Sequence, residues 1–471
     1  MPDKNILTLV NRYEEARESG KNPYFDADEF SELADYFDQQ DDLDTAREII
    51  DAGLDIHPGN MPLLIKKAKI VVYESDYKLA LELLSPISEY DFDLYLIKIE
   101  CYLQLEQYKE AFKLSEELIE KEDNESIDNV LAELGFLYVE ADRFKEAILY
   151  FRESIKYNPD NIEVLSELAY AYEMLGQFDE SITITNQILD IEPYTYEAWV
   201  NLGKLYSLKE EFEKAIDAFD FALTINDSDD TLLKMKAHCL SLCERAHEAI
   251  EIFNDLLEKD KDDTTLYFLL VECYESLELY DEALKCVEQY QEIEGDTNEV
   301  LSKQAYLYLQ KDEYEKALSI VTKGLELAPY SLDLNVVAGE IEFKREHYKE
   351  AELYFLSVYP ENKDNFHLVD RLALVSIKEE DYQQAAYYTE ELLDIDPNNL
   401  AVKQRLALLY FEIGDKEHFN LILDQFTDKE LLSLFELIYT PQSTGYLDRD
   451  VLVAYLNKAR ETRTLFKNLK Y

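Results

Sequence analysis

Apolar residues recur along most of the chain with a helical period, in pairs of short runs separated by turn residues. The pattern is plainest between Asp128 and Asn161. Leu131, Leu134, Gly135 and Tyr138 hold the i, i+3, i+4, i+7 spacing of one face of a helix. Phe144, Ala147, Ile148, Phe151 and Ile155 do the same in a second helix. Asn158-Pro159 stops that second helix, because proline cannot continue the hydrogen-bond ladder and disfavours helical backbone at the residue before it. Two helices this short cannot bury their stripes alone and need a similar pair on each side.

Those pairs are present at a step of thirty-four residues. From Ala147, at the closest crossing of the two helices, the step reaches Ser181, Ala215, Ala249, Ala283, Ala317, Ala351 and Ala385, all small. From Gly135 it reaches Ala169, Gly203, Ala237, Val271, Ala305, Gly339 and Ala373. Small residues at fixed places in a fixed period mean repeated close helix–helix contact. The unit that starts at Tyr196 carries Trp199, Leu202, Gly203, Tyr206, Ala215, Phe219 and Ala222. By these residues the chain resembles the tetratricopeptide repeat (TPR) superfamily. The resemblance implies an all-α fold, a right-handed superhelical solenoid of about 11–12 helix-turn-helix repeats with N- and C-terminal capping helices. It implies little about function, since such arrays serve unrelated partners.

The pattern divides the chain into five stretches. Residues 1–26 read as an N-terminal capping helix, with Ile6, Val10, Tyr13 and Arg17 on one face and Gly20 to Pro23 as its end. Residues 27–127 read as irregular repeats: Ser85-Pro86 cuts one second helix short, and the crossing residues Ala80, Ala111 and Ala147 are unevenly spaced. Residues 128–399 are the regular array. Residues 400–433 are a degenerate repeat in which Phe419 takes the small crossing position. Residues 434–471 read as C-terminal capping helices, the last with a stripe of Leu447, Val451, Tyr455 and Ala459. Its end is basic, with Lys458, Arg460, Arg463, Lys467 and Lys470. Those cations complement a helix C-terminus, or form a hook for an acidic surface on the same chain or on a second copy, which leaves self-association open.

Charge narrows the partners. Lys and Arg number 46 against 102 Asp and Glu, a net charge of −56. Such a surface repels nucleic acid and anionic membrane. It serves solubility and leaves a basic partner as the favoured kind. No apolar run is long enough to span a membrane, and the first residues lack the apolar core of a secretory signal, so a cytoplasmic protein is expected. Cys101, Cys239 and Cys273 fall at one repeat position and read as small core residues rather than a disulfide framework.

No glycine-rich phosphate loop, nucleophile elbow or H-E-x-x-H occurs, so the chain is not expected to be an enzyme or to hold a cofactor. His238, Cys239, Cys243 and His247 have ligand-like spacing, but the repeat puts an interhelical turn near Glu244-Arg245, and core packing is the favoured reading over a metal.

By the resemblance, the first helices line the concave surface. The places not consumed by packing hold Phe136, Tyr170, Lys204, His238, Glu272, Tyr306 and Glu340, with Glu173, Glu275 and Phe343 a turn further on. Aromatic and acidic side chains in a groove suit a protein or peptide with apolar and basic residues. The expected function is therefore a non-catalytic interaction scaffold. The alternative is a peptide-responsive regulator whose superhelix changes shape on binding. The Lys/Asn grip by which some TPR units hold the C-terminal carboxylate of chaperones is not reproduced: the matching places hold Lys234, His238, Leu269 and Glu299.

Overall fold

The computed structural model describes residues 4–19, 24–122, 126–438 and 448–468. Their regular structure is helical throughout, and they fall into two compact units, Met1–Cys243 and Glu244–Tyr471. The first unit opens on α1 (Lys4–Ser19). Hairpins follow as α2 and α3 (Ala27–Asp38, Leu43–Ile56), α4 and α5 (Met61–Tyr73, Tyr77–Leu84), and α6 and α7 (Phe92–Gln104, Tyr108–Lys121). Next come α8 and α9 (Ile127–Glu140, Phe144–Tyr157), α10 and α11 (Ile162–Met174, Phe178–Ile191), α12 and α13 (Tyr196–Leu208, Phe212–Ile225), and α14 (Asp230–Leu242).

The second unit opens on α15 (Ala246–Lys259). Its hairpins are α16 and α17 (Thr264–Ser276, Tyr280–Glu294), α18 and α19 (Asn298–Gln310, Tyr314–Leu327), and α20 and α21 (Leu332–Lys344, Tyr348–Val358). They continue as α22 and α23 (Phe366–Lys378, Tyr382–Ile395) and α24 and α25 (Leu400–Ile413, Lys416–Asp424), and α26 (Asp428–Ile438) and α27 (Arg449–Asn468) close the unit. The irregular second helix is α5, which is 8 residues long where α9, in the regular array, has 14.

The period of thirty-four is a packing period. Every crossing residue from Ala46 to Ala385 is buried, Ala215 and Ala249 alike, and Phe419 is buried in the place they vacate. Side-chain volume is traded across the crossing. Gly135, Gly203 and Gly339 lie under the rings of Phe151, Phe219 and Phe355, and a Cβ on them would come within 2.2, 2.3 and 2.4 Å of ring carbon. Where the glycine place holds Ala169, Ala305 or Ala373, the phenylalanine place holds the smaller Thr185, Val321 or Thr389, all buried. Ala237 and Phe253 hold these two places in the sequence but fall in different units.

The turns repeat as well. Each first helix ends in a residue with positive φ, among them Asp142 (φ 55), Gly176 (φ 69), Glu210 (φ 59) and Asp312 (φ 58). Around it the backbone closes the paired bonds of a Schellman turn, as in Asp142 N–H to Val139 O and Arg143 N–H to Tyr138 O. Part of the acidic excess is spent at helix starts. The carboxylates of Asp42, Asp76, Asp91, Asp229, Asp381 and Asp415 each accept an amide of the helix they open, which satisfies donors that have no partner within the helix.

Both terminal helices seal a seam. Leu9 and Val10 of α1 join the cluster around Phe25, Phe30 and Leu33. At the other end the buried stripe of α27 is Leu452, Leu456 and Arg460; Val451 and Tyr455 are exposed. The stripe is thus one residue out of register with the expected Val451, Tyr455 and Ala459, and Leu447 lies outside the described residues. The shift lets Arg460 reach the end of α24, where its guanidinium donates to Gly414 O at 2.9 Å. Arg463 pairs with Glu412 at 3.2 Å, and Arg449 donates to Leu423 O in the last turn of α25 and to Phe426 O just beyond it. Of the basic residues of this end, buried Arg460 and exposed Arg463 therefore both reach the end of α24. The side chains of Lys467 and Lys470 and the ends of α1 and α26 near Pro23 and Pro441 lie outside the described residues.

Candidate protein-binding face

Packing consumes the seam positions of each first helix and leaves a polar and aromatic remainder. In the first unit, Tyr170, Lys204 and His238 are exposed, while Phe136 and Glu173 are half-buried. The Phe136 ring leans on buried Phe151 at 5.3 Å between centroids, so it is partly core. Tyr170 stands at 6.0 Å from Phe144 with its outer edge in water. In the second unit Glu272 and Tyr306 are exposed, and Glu275, Glu340 and Phe343 are half-buried. Phe343 packs edge-on against Tyr348 at 5.4 Å.

Charge separates the two units more than exposure does. In the second unit the first helices neutralise one another from repeat to repeat. Lys303 pairs with Glu275 at 3.1 Å, Arg371 with Glu340, and Arg405 with Asp370 at 2.5 Å. In the first unit Lys66 pairs with Asp35, and Lys69 with Asp93 at 2.6 Å. The place in the repeat that holds Lys66, Lys303, Arg371 and Arg405 holds Glu133 in α8 and Glu167 in α10. Burial and then like charge raise both carboxyls above the ordinary range: Glu163, Asp93 and Glu140 act on Glu133, and Glu163 and Glu140 act on Glu167. Glu100 of α6 is raised by burial and by Glu140. On α8 and α10, with Glu100 of α6 beside them, carboxylates thus act on carboxylates, while Asp93 of α6 is paired with Lys69.

A second feature borders that field. The last residues of α10, α12 and α14 are Met174, Leu208 and Leu242, and each is at least half exposed (50%, 56% and 50%). The residues Glu133, Glu140, Glu163 and Glu167 and this aliphatic row were missed by reading one groove position per repeat. Glu133 and Glu167 are one thirty-four-residue step apart, as are Met174, Leu208 and Leu242 in turn, so a reading of every helical position would have found these; Glu140 and Glu163 carry no such signal.

The suspected metal residues do not behave as a set. Cys239 is buried with its Sγ 3.5 Å from Ser207 Oγ, while His238 on the same helix is exposed. Among the described residues no three His, Cys, Asp or Glu side chains converge on one point as metal ligands would. Cys101 and Cys273 are buried, as their repeat position implies. Among the described residues no helix is long and apolar enough to cross a membrane.

Helix pairs repeated at one period, with a common crossing, a common turn and a surplus face on the first helices, define an α-helical repeat protein. Two profiles, both of the tetratricopeptide repeat, match it: one covers residues 138–202 and 244–307, the other residues 196–229. Over residues 138–229 and 244–307 the chain is made of tetratricopeptide repeats. Solved structures similar to it include YrrB, a TPR protein described as having an unusual peptide-binding site, at 21% identity over 39% of this chain and 95% of that one, with a TM-score of 0.34. Others are a tetratricopeptide repeat protein from Parabacteroides merdae (18%, 60% and 98%, TM-score 0.33) and PilF of Pseudomonas aeruginosa (15%, 47% and 98%, TM-score 0.34). No curated protein sequence matches the chain.

Proposed function

We propose that the protein is a non-catalytic scaffold that holds a partner protein or peptide on the faces of its first helices. The observation that carries this reading is the exposed remainder on those helices: Tyr170, Lys204 and His238 in one unit, Glu272 and Tyr306 in the other. Half-exposed aromatic rings on rigid helices make good anchors, because little side-chain freedom is lost on contact. Glu173, Glu275, Glu340 and Phe343 frame them, and Phe136 lies beneath. A net charge of −56 favours a partner with Lys or Arg over an acidic one. Five cysteines, four of them buried, suit a reducing, cytoplasmic setting.

The test is site-specific photocross-linking in cells. A cross-linking amino acid at position 170 or 306 is expected to capture a polypeptide. The same amino acid at position 353, where Leu353 is exposed on a second helix, is the control. Capture only from position 353, or from none of the three, refutes the scaffold reading.

A further inference from the structure

The aliphatic residues at the ends of α10, α12 and α14 stay half exposed rather than entering the buried core of the repeats. The last turn of a helix exposes carbonyls and favours a polar or cationic side chain. Five other first helices obey this: α8, α16, α18, α20 and α22 end in Glu140, Ser276, Gln310, Lys344 and Lys378, whereas α4 ends in Tyr73 and α24 in Ile413. Three consecutive first helices instead hold Met174, Leu208 and Leu242 half in water. One such residue is ordinary on a protein surface; a row in register across neighbouring repeats is a contiguous apolar strip. Exposed Tyr170 lies one helical turn before Met174 and widens it.

The strip runs out where the carboxylates begin. Glu140 takes its place at the end of α8, and Glu133, Glu163 and Glu167 occupy the helix faces of α8 and α10 beside it. The charges that act on Glu133 and Glu167 are other carboxylates, so the free protein holds them against their mutual repulsion. The second unit does the opposite and neutralises the carboxylates of its first helices with Lys303, Arg371 and Arg405. An apolar strip flanked by one sign of charge selects its occupant by charge complementarity. An anionic membrane, a nucleic acid or an acidic peptide is repelled; a cationic amphipathic segment is attracted on both counts.

We infer that the first-helix face of the first unit takes an amphipathic, Lys- or Arg-rich polypeptide segment. Its apolar side chains lie on Met174, Leu208 and Leu242, and its cations on Glu133, Glu140, Glu163 and Glu167. The inference rests on the scaffold reading and narrows it to one unit, one chemistry and one arrangement.

Fluorescence anisotropy with the full chain tests it. The probes are a labelled amphipathic Leu/Lys peptide of about 18 residues, five helical turns, its Leu/Glu counterpart and its Ser/Lys counterpart. The Leu/Lys peptide binds; the other two bind at least about tenfold more weakly. Met174→Ser with Leu208→Ser and Leu242→Ser weakens Leu/Lys binding by about tenfold or more, as does Glu133→Gln with Glu163→Gln and Glu167→Gln. All six positions are at least partly exposed, and circular dichroism of each variant confirms the helices. Equal binding of the Ser/Lys peptide, or no loss in the aliphatic variant, reduces the effect to general charge attraction and overturns the inference. Absence of Leu/Lys binding overturns it too. Cross-linking separates this failure from failure of the scaffold reading: capture from position 306 but not from position 208 sinks the inference alone, and capture from neither sinks both.

Discussion

Gly203→Ala puts one methyl group where the fold has no room for it. The new Cβ would lie 2.3, 2.4 and 2.9 Å from three ring carbons of Phe219, a fully buried side chain on α13. Contacts under 3 Å require the ring or the helix to move. Overpacking of this kind costs about 1–3 kcal/mol. Replacing Gly by Ala within a helix returns about 1 kcal/mol of propensity. The expected net loss is about 1–2 kcal/mol, against the sign that propensity alone gives. Phe219→Val alone opens a cavity and destabilises by about 2–4 kcal/mol. The double variant copies the Ala305/Val321 pairing of α18 and α19. It is expected to cost less than the sum of the singles, by about 1–2 kcal/mol of coupling. Trp199 is the one tryptophan, sits in the same repeat and stacks on Phe221 at 4.5 Å. Its fluorescence in a urea titration therefore reads this repeat directly, and far-UV circular dichroism reads the array. A higher Trp199 midpoint for Gly203→Ala, or strictly additive singles, would refute the volume trade.

Other outcomes follow from the same geometry. Gly176, at φ 69, is expected to lose about 1 kcal/mol on substitution by Ala; Gly59, with open space around it and no positive φ, is expected to lose nothing, as read by thermal midpoints. Arg460→Ala leaves the carbonyl of Gly414 without its buried donor and loosens the C-terminal seam by about 1–3 kcal/mol, seen as faster amide exchange in α24 and α27. Glu133 and Glu167 have native pKa values raised above the unfolded 4.5, so the burial of their charges, and then repulsion by Glu163 and Glu140, weakens the fold at neutral pH and is relieved as pH falls through the raised values. Glu133→Gln with Glu167→Gln is therefore expected to raise the thermal midpoint at pH 7, with the gain gone below the unfolded value. Glu211 works in the opposite direction. Hydrogen bonds from Lys209 and Lys214 hold its carboxyl down to about 2, so its contribution is present above 4.5 and is lost as pH falls towards 2. Lys209→Met should flatten that acid limb of the midpoint-versus-pH curve.

By itself the sequence determined the repeat. A thirty-four-residue step, small residues at each crossing, and proline or asparagine at the ends of second helices leave one way to bury two short amphipathic stripes: against copies of themselves. Even the irregular α5 was legible, from Ser85-Pro86. Tertiary structure decided what the repeat does not encode. Phe136 and Tyr170 share a repeat position, yet one leans into the core on Phe151 and the other stands in water, because the residue beneath each differs. Glu340 and Glu167 are both half-buried carboxylates of first helices. The first is neutralised by Arg371 from the next repeat, and the second faces carboxylates. The stripe of α27 slid by one residue because a buried arginine found a carbonyl at the end of α24, forty-six positions away. Periodicity is a local property and is written in the order of residues. Which charges meet, and which rings are covered, depends on side chains brought together from different repeats, and that is fixed only when the helices stack.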